Sequence, residues 1–354
     1  MADEDAARSA QERATHKLIA ERAGVHPSTV SRILRRPPGP RRADFAATEL
    51  KVREIAEELG YRPDLTAASL RTRRSFVVGV LLPQLHDVVL ATILSGIDTA
   101  AFRLGYQTIV TTTSGDSERR RQRLEMLLSR RVDGLIIGDA TLDEDIYTAL
   151  RRPRTPHVLV NHRARGHVAV TGDDQLGGRL AAEHLLDAGH RTVGVIAGPR
   201  YPTALDRVRG FTQVYDRAGC PVPDGYVVHS EFDPEGGRRA ARELLGLSPR
   251  PTALFAVNDS AAIGAMGVLR DEGLQVGRDV ALVGYNDIAM ARDLPVPLTS
   301  VHAPLVEMGE QAATLLIDLI DGKDRKSAKV TPHLVVRESS AAVSAAQFSS
   351  RLGG

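Results

Sequence analysis

Three pairs of polar residues lie at or just after the ends of apolar runs. The pairs are Asp173-Asp174, Asn258-Asp259 and Asn286-Asp287. Carboxylate and amide groups bind the hydroxyls and carboxylates of small ligands through strong, directional hydrogen bonds. Asn and Asp also begin helices, so each pair by itself could simply be a helix cap. Because the three pairs occupy corresponding places, we favour a shared ligand-binding cleft.

The sequence lacks the residue patterns that catalysis or metal binding usually needs. It contains no Walker A motif, G-x-G-x-x-G, H-E-x-x-H or G-x-S-x-G. Its 11 His residues are scattered without metal-ligand spacing. The single cysteine, Cys220, cannot form an internal disulfide or a Cys-based zinc site. We therefore expect no enzymatic activity, no metal and no cofactor.

Positive charge is concentrated near the N-terminus. Residues 13–42 carry eight Lys and Arg against one acidic residue, Glu21, although the whole chain has a formal charge of only +2. A dense local positive field is the footprint of a protein that binds a polyanion such as nucleic acid. An ordinary solvated basic face is the alternative that charge alone leaves open.

Short helices are predicted in and after this segment. Thr15 can cap a first helix that Gly24 ends, and Pro27 suits the first turn of a second helix over Ser28–Leu34. The inward residues of that second helix are Val30, Ile33 and Leu34. A third helix is predicted from about Ala46 to Leu59, after a loop at Pro37–Pro40, with the apolar positions Leu50, Ile55 and Leu59.

From Ser75 onward, short apolar runs alternate with longer amphipathic stretches, which predicts parallel sheets in open α/β layers and two lobes. Ligands bind at the carboxyl ends of the strands in such folds. The predicted strands are Phe76–Leu82, Thr108–Thr112, Gly134–Ile137, His157–Val160, Val168–Thr171, Val193–Ala197, Tyr226–Val228, Ala253–Val257 and Val280–Gly284. The helical stretches include Leu90–Leu104, Ser117–Arg130, Gly177–Ala188 and Ser260–Asp271.

The length of 354 residues predicts two or three domains. No apolar run approaches the roughly 18–20 residues of a membrane span, so we expect no membrane association. The acidic start of the chain lacks the apolar region of a secretory signal, which favours a cytoplasmic protein.

The segment Leu18–Leu34, LIAERAGVHPSTVSRIL, resembles the helix-turn-helix of the lactose-repressor (LacI/GalR) family. Two short helices around a Gly-containing turn, with a basic outer face, suit that motif independently. The resemblance extends over roughly residues 14–341. It continues through LGYRP at 59–63, AASLR at 67–71, FVVGV at 76–80, RVDGLII at 131–137, GGRLAAEHL at 177–185, AVND at 256–259, VGYND at 283–287 and LVVRES at 334–339.

The resemblance implies an all-α, N-terminal DNA-binding domain followed by a two-lobed, periplasmic-binding-protein-like α/β core with parallel sheets. The implied parts are a disordered tail at 1–13, the helix-turn-helix domain at 14–63, a hinge helix or linker at 64–75, an effector-binding and dimerisation domain at 76–341, and a flexible tail at 342–354.

The resemblance also implies roles for individual residues. The positions implied to contact DNA are Thr15, Pro27, Ser28, Thr29 and Arg32 around the recognition helix and Ala67, Leu70 and Arg71 in the hinge, where Leu70 would insert into the minor groove. The positions implied to bind the effector are His86, Arg163, Asp173, Arg207, Asn258, Asn286 and Asp287.

Four departures from the family pattern bear on these roles. His26 replaces the usual serine cap before the recognition helix, so it either caps differently or contacts a phosphate. The basic loop Arg35–Arg42 is about four residues longer than usual and suggests extra phosphate contacts. Asp87-Val88-Val89 lacks the aromatic residue of many sugar-binding members, and Asn286 stands where an aspartate is common.

We therefore expect a homodimeric transcriptional regulator, most simply a repressor, that binds double-stranded operator DNA under the control of a small polar effector such as a sugar or a related metabolite. Two alternatives are a solute-binding protein of a transport system, which shares the two-lobed core, and a sugar-processing enzyme. The basic helix-turn-helix and the lack of a signal peptide disfavour the first, and the missing catalytic residues disfavour the second.

Overall fold

A computed structural model describes residues 15–34, 43–61, 74–138 and 155–340. The chain divides into two compact units, residues 1–75 and 76–354. Several predictions fall outside the described residues: the two terminal tails, the Arg35–Arg42 loop with Pro37–Pro40, and the hinge positions Ala67, Leu70 and Arg71. Within the described ranges, no helix combines the length and the hydropathy that a bilayer crossing requires.

The described residues of the first unit form three helices around a small apolar core. Helix α1 spans His16–Ala23, α2 spans Pro27–Leu34 and α3 spans Ala43–Glu58. The core consists of Ile19, Ala20, Ala23, Val30, Ile33, Val52 and Ala56. Leu50, an apolar position of the predicted third helix, is instead 61% exposed, because α3 turns Val52 and Ala56 toward the other two helices.

The second unit contains two six-stranded sheets, one in each lobe. The strands of the first sheet, in spatial order, are β11 (Ala328–Val330), β5 (Ala169–Gly172), β4 (His157–Val160), β3 (Gly134–Ile137), β1 (Val77–Leu82) and β2 (Gln107–Thr112). The strands of the second sheet are β12 (His333–Val335), β10 (Thr299–His302), β9 (Ala281–Asn286), β8 (Ala253–Ala256), β6 (Val193–Ala197) and β7 (Val227–His229).

The strand pairing confirms parallel sheets, with one edge exception. Every described pair is parallel apart from β10 with β12, which run antiparallel with Val301 opposite Leu334. All nine predicted strands are present within one or two residues at each end. Strands β10, β11 and β12 were not predicted, because their sequences, TSVH, AKV and HLV, contain polar residues beside only one or two apolar ones.

Seven helices cover the sheets in the described part of this unit. They are α4 (Val88–Arg103), α5 (Ser117–Ser129), α6 (Asp174–Asp187), α7 (Pro202–Arg217), α8 (Pro234–Leu245), α9 (Asp259–Asp271) and α10 (Leu305–Ile320). Helix α4 packs on α10 in the first lobe, α6 on α7 and α8 on α9 in the second. The chain passes between the lobes three times: after β5, after β10, and between β11 and β12.

Candidate functional site

The outer face of α2 is the first candidate site. Val30 and Ile33 are fully buried against α1 and α3, and a helix that buries one face presents the opposite face to solvent. That opposite face exposes Pro27, Ser28 and Arg32, while Thr29 and Ser31 are half-buried. The structure thus brings four of the predicted DNA contacts, Pro27, Ser28, Thr29 and Arg32, onto one short helix.

The position of α2 depends on the ends of α1 and on one contact from α3. Thr15 caps α1 as predicted, since its hydroxyl accepts a hydrogen bond from the Leu18 amide at 3.2 Å. Gly24 ends α1 with a left-handed φ of 69°, so the chain can turn into α2. At the far end of α2, Arg53 of α3 donates to the Ile33 carbonyl at 3.1 Å. The sequence does not predict this role of Arg53, because its partner, Ile33, lies 20 residues away along the chain.

His26 caps α2 in place of the usual serine. Its Nδ1 lies 3.3 Å from the Ser28 backbone nitrogen and 2.8 Å from the Ser28 hydroxyl. The structure therefore favours capping for this departure from the family pattern.

Arg207 is buried, as are Asn258 and Asn286 among the predicted effector residues. It is 6% exposed, and its Nε donates to the Asp174 carboxylate at 2.8 Å. Its Nη1 donates to the Val257 carbonyl at 2.7 Å, and its guanidinium lies over the Tyr285 ring at 3.7 Å. Burial raises the pKa of the Asp174 carboxyl, and the Arg207 charge opposes that rise. These contacts tie the second member of one polar pair, Asp174, to a buried cation.

Arg163 bridges the two lobes. It follows β4 in the first lobe, and its Nη1 pairs with the carboxylate of Asp206 on α7 in the second lobe. Gln175 of α6 donates to the other oxygen of Asp206 at 3.0 Å. Although burial opposes ionisation, these hydrogen bonds hold the pKa of the Asp206 carboxyl below its usual value. The structure thus places Arg163 in an ion pair across the lobes.

Two predicted effector residues, Asp173 and Asn258, are engaged as helix caps. Asp173 accepts from the Leu176 amide at the start of α6, and Lys329 lies 3.6 Å away on β11. Asn258 accepts from the Ala261 amide at 2.9 Å and donates to the Phe232 carbonyl at 2.7 Å, so both ends of its amide group have partners.

The third polar pair does not begin a helix. Asn286 ends β9 with a φ of 103°, is 4% exposed, and its Oδ1 has no hydrogen-bond partner among the described residues. Asp287 follows with a φ of 54°, and its carboxylate contacts His302 Nδ1 at 3.1 Å and Arg337 Nη1 at 2.7 Å. Asn286 therefore holds a buried side-chain oxygen at a strained turn, and no described residue donates a hydrogen bond to it.

Asp259 forms hydrogen bonds that hold the turn at residues 286–288. It is fully buried, and its carboxylate accepts from the Ser300 hydroxyl at 2.6 Å and from the Ile288 amide at 2.8 Å. Burial raises the pKa of the Asp259 carboxyl to about 7, against the lowering effect of these hydrogen bonds. Asp259 thus connects the start of α9 to the 286–288 turn.

Sequence reasoning missed three aromatic rings at the strand ends. His162 follows β4, Tyr201 precedes α7 and Phe232 follows β7. The ring centroids lie 6.0 Å apart for His162 and Tyr201 and 6.2 Å apart for Tyr201 and Phe232. His86, by contrast, is exposed, and Asp87 caps α4 by accepting from the Val89 amide. Aromatic rings therefore lie at these strand ends, and they come from other segments than 87–89, where the family pattern would put an aromatic residue.

Two family descriptions match the chain. Residues 16–64 match "Bacterial regulatory proteins, lacI family", and residues 182–340 match "Periplasmic binding protein-like domain". The ribose operon repressor of Escherichia coli (strain K12) is 34% identical over 333 residues, which cover 92% of this chain and 99% of that protein.

Solved structures agree in fold and in the class of protein. A lac repressor dimer bound to operator and the anti-inducer ONPF has a TM-score of 0.80 at 26% identity, covering 94% of this chain and 100% of the other. A complex of the transcriptional regulator CelR with cellobiose has a TM-score of 0.70 at 31% identity, covering 92% of this chain and 100% of the other. These proteins are transcriptional regulators rather than enzymes.

We expect Asp174→Asn to destabilise the core by roughly 3 kcal/mol, because removing one partner of a buried ion pair leaves the other charge uncompensated. Urea denaturation of the full chain, followed by circular dichroism, measures this. Glu231→Gln is the matched control: it removes the carboxylate of an exposed ion pair with Arg239, and we expect no measurable change. Equal effects of the two variants would contradict the structural importance of the Asp174–Arg207 pair.

We expect the stability of the protein to depend on Asp259 between about pH 4 and pH 7. The folded-state pKa of about 7 lies above the ordinary value of 3.8, so the folded state holds a proton that the unfolded state releases. Stability then falls as pH rises through this window, by up to roughly 1.4 kcal/mol per pH unit.

Asp259→Asn cannot lose that proton, and its amide can donate to Ser300 while still accepting from Ile288. Subtracting the unfolding free energy of this variant from that of the wild type should give a difference that falls from pH 5 to pH 7 and is flat above pH 8. The exposed Asp216→Asn variant should keep the wild-type profile. A difference independent of pH would show that Asp259 is ionised throughout.

Proposed function

Because the chain belongs to the lacI family of bacterial regulatory proteins, we propose that α2 is the helix that reads its operator, with Ser28, Thr29 and Arg32 toward the major groove. The protein is a DNA-binding transcriptional regulator of the repressor type that acts as a dimer and responds to a small-molecule effector. One observation carries the placement of α2: packing buries Val30 and Ile33, which leaves Ser28 and Arg32 exposed on the opposite face. Residues near the start of a recognition helix contact base edges.

The remaining DNA contacts of the proposal come from the ends of this unit. Thr15 would contact a phosphate beside its capping hydrogen bond, and Pro27 would make apolar base contacts. Residues 64–75 would form the hinge, with Ala67, Leu70 and Arg71 in the minor groove, where an apolar side chain can open a base step. Since the operator is chromosomal DNA, we place the protein in the cytoplasm.

The effector site of the proposal lies at the carboxyl ends of the strands in the second unit. Asn286 carries it, because a buried amide oxygen without a partner loses the free energy of a hydrogen bond that a ligand can restore. His162, Tyr201 and Phe232 supply ring surface at other strand ends of this unit, against which a sugar or a flat polar ligand can pack. Two similar proteins are a ribose operon repressor and a CelR–cellobiose complex, which favours a sugar or a related metabolite here.

In this proposal, the other predicted effector residues position the site or link the two lobes. Arg207 and Asp173 hold the frame of the site, Asn258 positions the carbonyl of Phe232, and Asp287 fixes the Asn286 turn. His86 lies on the first lobe and Arg163 already joins the lobes, so a ligand bound between them would change how the lobes close. A ligand shifts that equilibrium only through different affinities for the two states.

We expect Arg32→Ala to weaken specific operator binding by about 1–3 kcal/mol, the range for one good base contact. Gel-shift titrations with the selected operator and with unrelated DNA measure both affinities. Arg22→Ala is the matched control, because Arg22 is exposed on α1 rather than on α2, so any effect should be the same on both DNAs. If Arg32→Ala instead weakens binding to both DNAs by the same factor, Arg32 contacts only phosphate. The proposed base contacts of α2 would then be wrong for this residue.

We expect Asn286→Ala to weaken effector binding by about tenfold, the free energy of one or two neutral hydrogen bonds. A thermal-shift screen of pentoses, hexoses, disaccharides and nucleobases first identifies the effector on the wild type. Gln122→Ala removes an exposed amide group on α5 and should leave the response intact. A wild-type dose response in Asn286→Ala would exclude this amide from the site.

A further inference from the structure

The contact between His26 and Ser28 restricts which hydrogen-bonding groups α2 can present to DNA. A backbone amide is only a donor, so the Ser28 N–H, 3.3 Å from His26 Nδ1, requires a lone pair on that nitrogen. The hydrogen of the neutral imidazole is then on Nε2. This assigns the tautomer of His26 from geometry in the first turn of α2.

The tautomer determines the direction of the second hydrogen bond. The Ser28 hydroxyl lies 2.8 Å from the same Nδ1, which carries no hydrogen. The hydroxyl must therefore donate its single hydrogen to the imidazole, and two acceptor lone pairs remain on Oγ. Ser28 is exposed on the outer face of α2, so these lone pairs are the part of the side chain that a ligand can reach.

We propose that His26 is a specificity-positioning residue, which fixes Ser28 as an acceptor so that it reads an exocyclic amino group in the major groove. The amino groups available there are adenine N6 and cytosine N4, whereas guanine O6 and thymine O4 are acceptors. On the strand that Ser28 faces, the protein thus selects adenine or cytosine against guanine or thymine. The inference rests on the proposed placement of α2 in the major groove.

A serine without this neighbour has no such preference, because a free hydroxyl rotates and can either donate or accept. His26 therefore acts through Ser28. Pro27 between them has no amide hydrogen, so it cannot compete for Nδ1.

The test is selection of operators from a random double-stranded DNA library by the full-length protein and four variants. We expect the wild type to favour adenine or cytosine at one position in each half-site by about fivefold or more, the lower end of a good base contact. Ser28→Ala should lose that preference. His26→Ser provides a good helix cap but lets Ser28 rotate, so the preference should fall to less than about twofold.

His26→Asp is the rescue variant. A carboxylate caps a helix as well as serine does, and it accepts from both the Ser28 amide and the Ser28 hydroxyl. We expect this variant to keep the adenine or cytosine preference, even though its negative charge lowers affinity for all DNA. The double variant His26→Ser/Ser28→Ala should show the same base preferences as Ser28→Ala alone, because His26 can act on base recognition only through the Ser28 hydroxyl.

A cap that served only stability would give equal base preferences for the wild type, His26→Ser and His26→Asp, and that result would overturn the inference. A preference for guanine or thymine that Ser28→Ala abolishes would show a donating hydroxyl and would overturn it too. Base preferences unchanged at every position in Ser28→Ala would instead refute the proposed placement of α2. Thermal melting of each variant confirms that the selected DNAs report on folded protein.

Discussion

The buried ion pair between Arg207 and Asp174 is the interaction on which the second lobe depends. It joins α6, the first helix after the chain enters this lobe, to α7, and through Val257 and Tyr285 it reaches the ends of two central strands. A guanidinium in an apolar interior needs a counter-charge and hydrogen-bond acceptors. Asp174 supplies the charge, the Val257 carbonyl accepts a second hydrogen bond, and the Tyr285 ring covers the guanidinium face. The pair therefore fixes where the strand ends of this lobe, and the polar residues on them, can lie.

The pair requires α6 and α7 to approach at backbone distance. A Cβ on Gly178 would lie 2.0 Å from the Arg207 carbonyl oxygen, and a Cβ on Gly210 would lie 2.1 Å from that of Gln175. The same approach brings Asp206 and Gln175 together, where Asp206 receives Arg163 from the other lobe. Packing of two helices inside one lobe thus also provides the contact between the lobes.

Local signals predicted the first unit well, because its elements begin and end at residues with strong backbone preferences. Thr15, Gly24 and Pro27 bound the first two helices where the sequence places them. The sequence could not show that Arg53 reaches Ile33 or that His26 shares Nδ1 between two groups of Ser28, since both depend on side-chain directions in space. Short edge strands such as β12 were missed because the neighbouring strand, rather than their own composition, makes them extended.

The three polar pairs show why residue type alone does not separate a helix cap from a ligand-binding residue. Asp173 and Asn258 are each followed by a helix with an early backbone amide that donates a hydrogen bond to the side-chain Oδ1, so this oxygen has a partner within the protein. Asn286 is followed instead by a left-handed residue, Asp287, and no backbone amide among the described residues donates to its side chain. The side-chain oxygen of Asn286 is consequently a buried acceptor without a hydrogen bond from the described residues. This distinguishes Asn286 from Asp173 and Asn258.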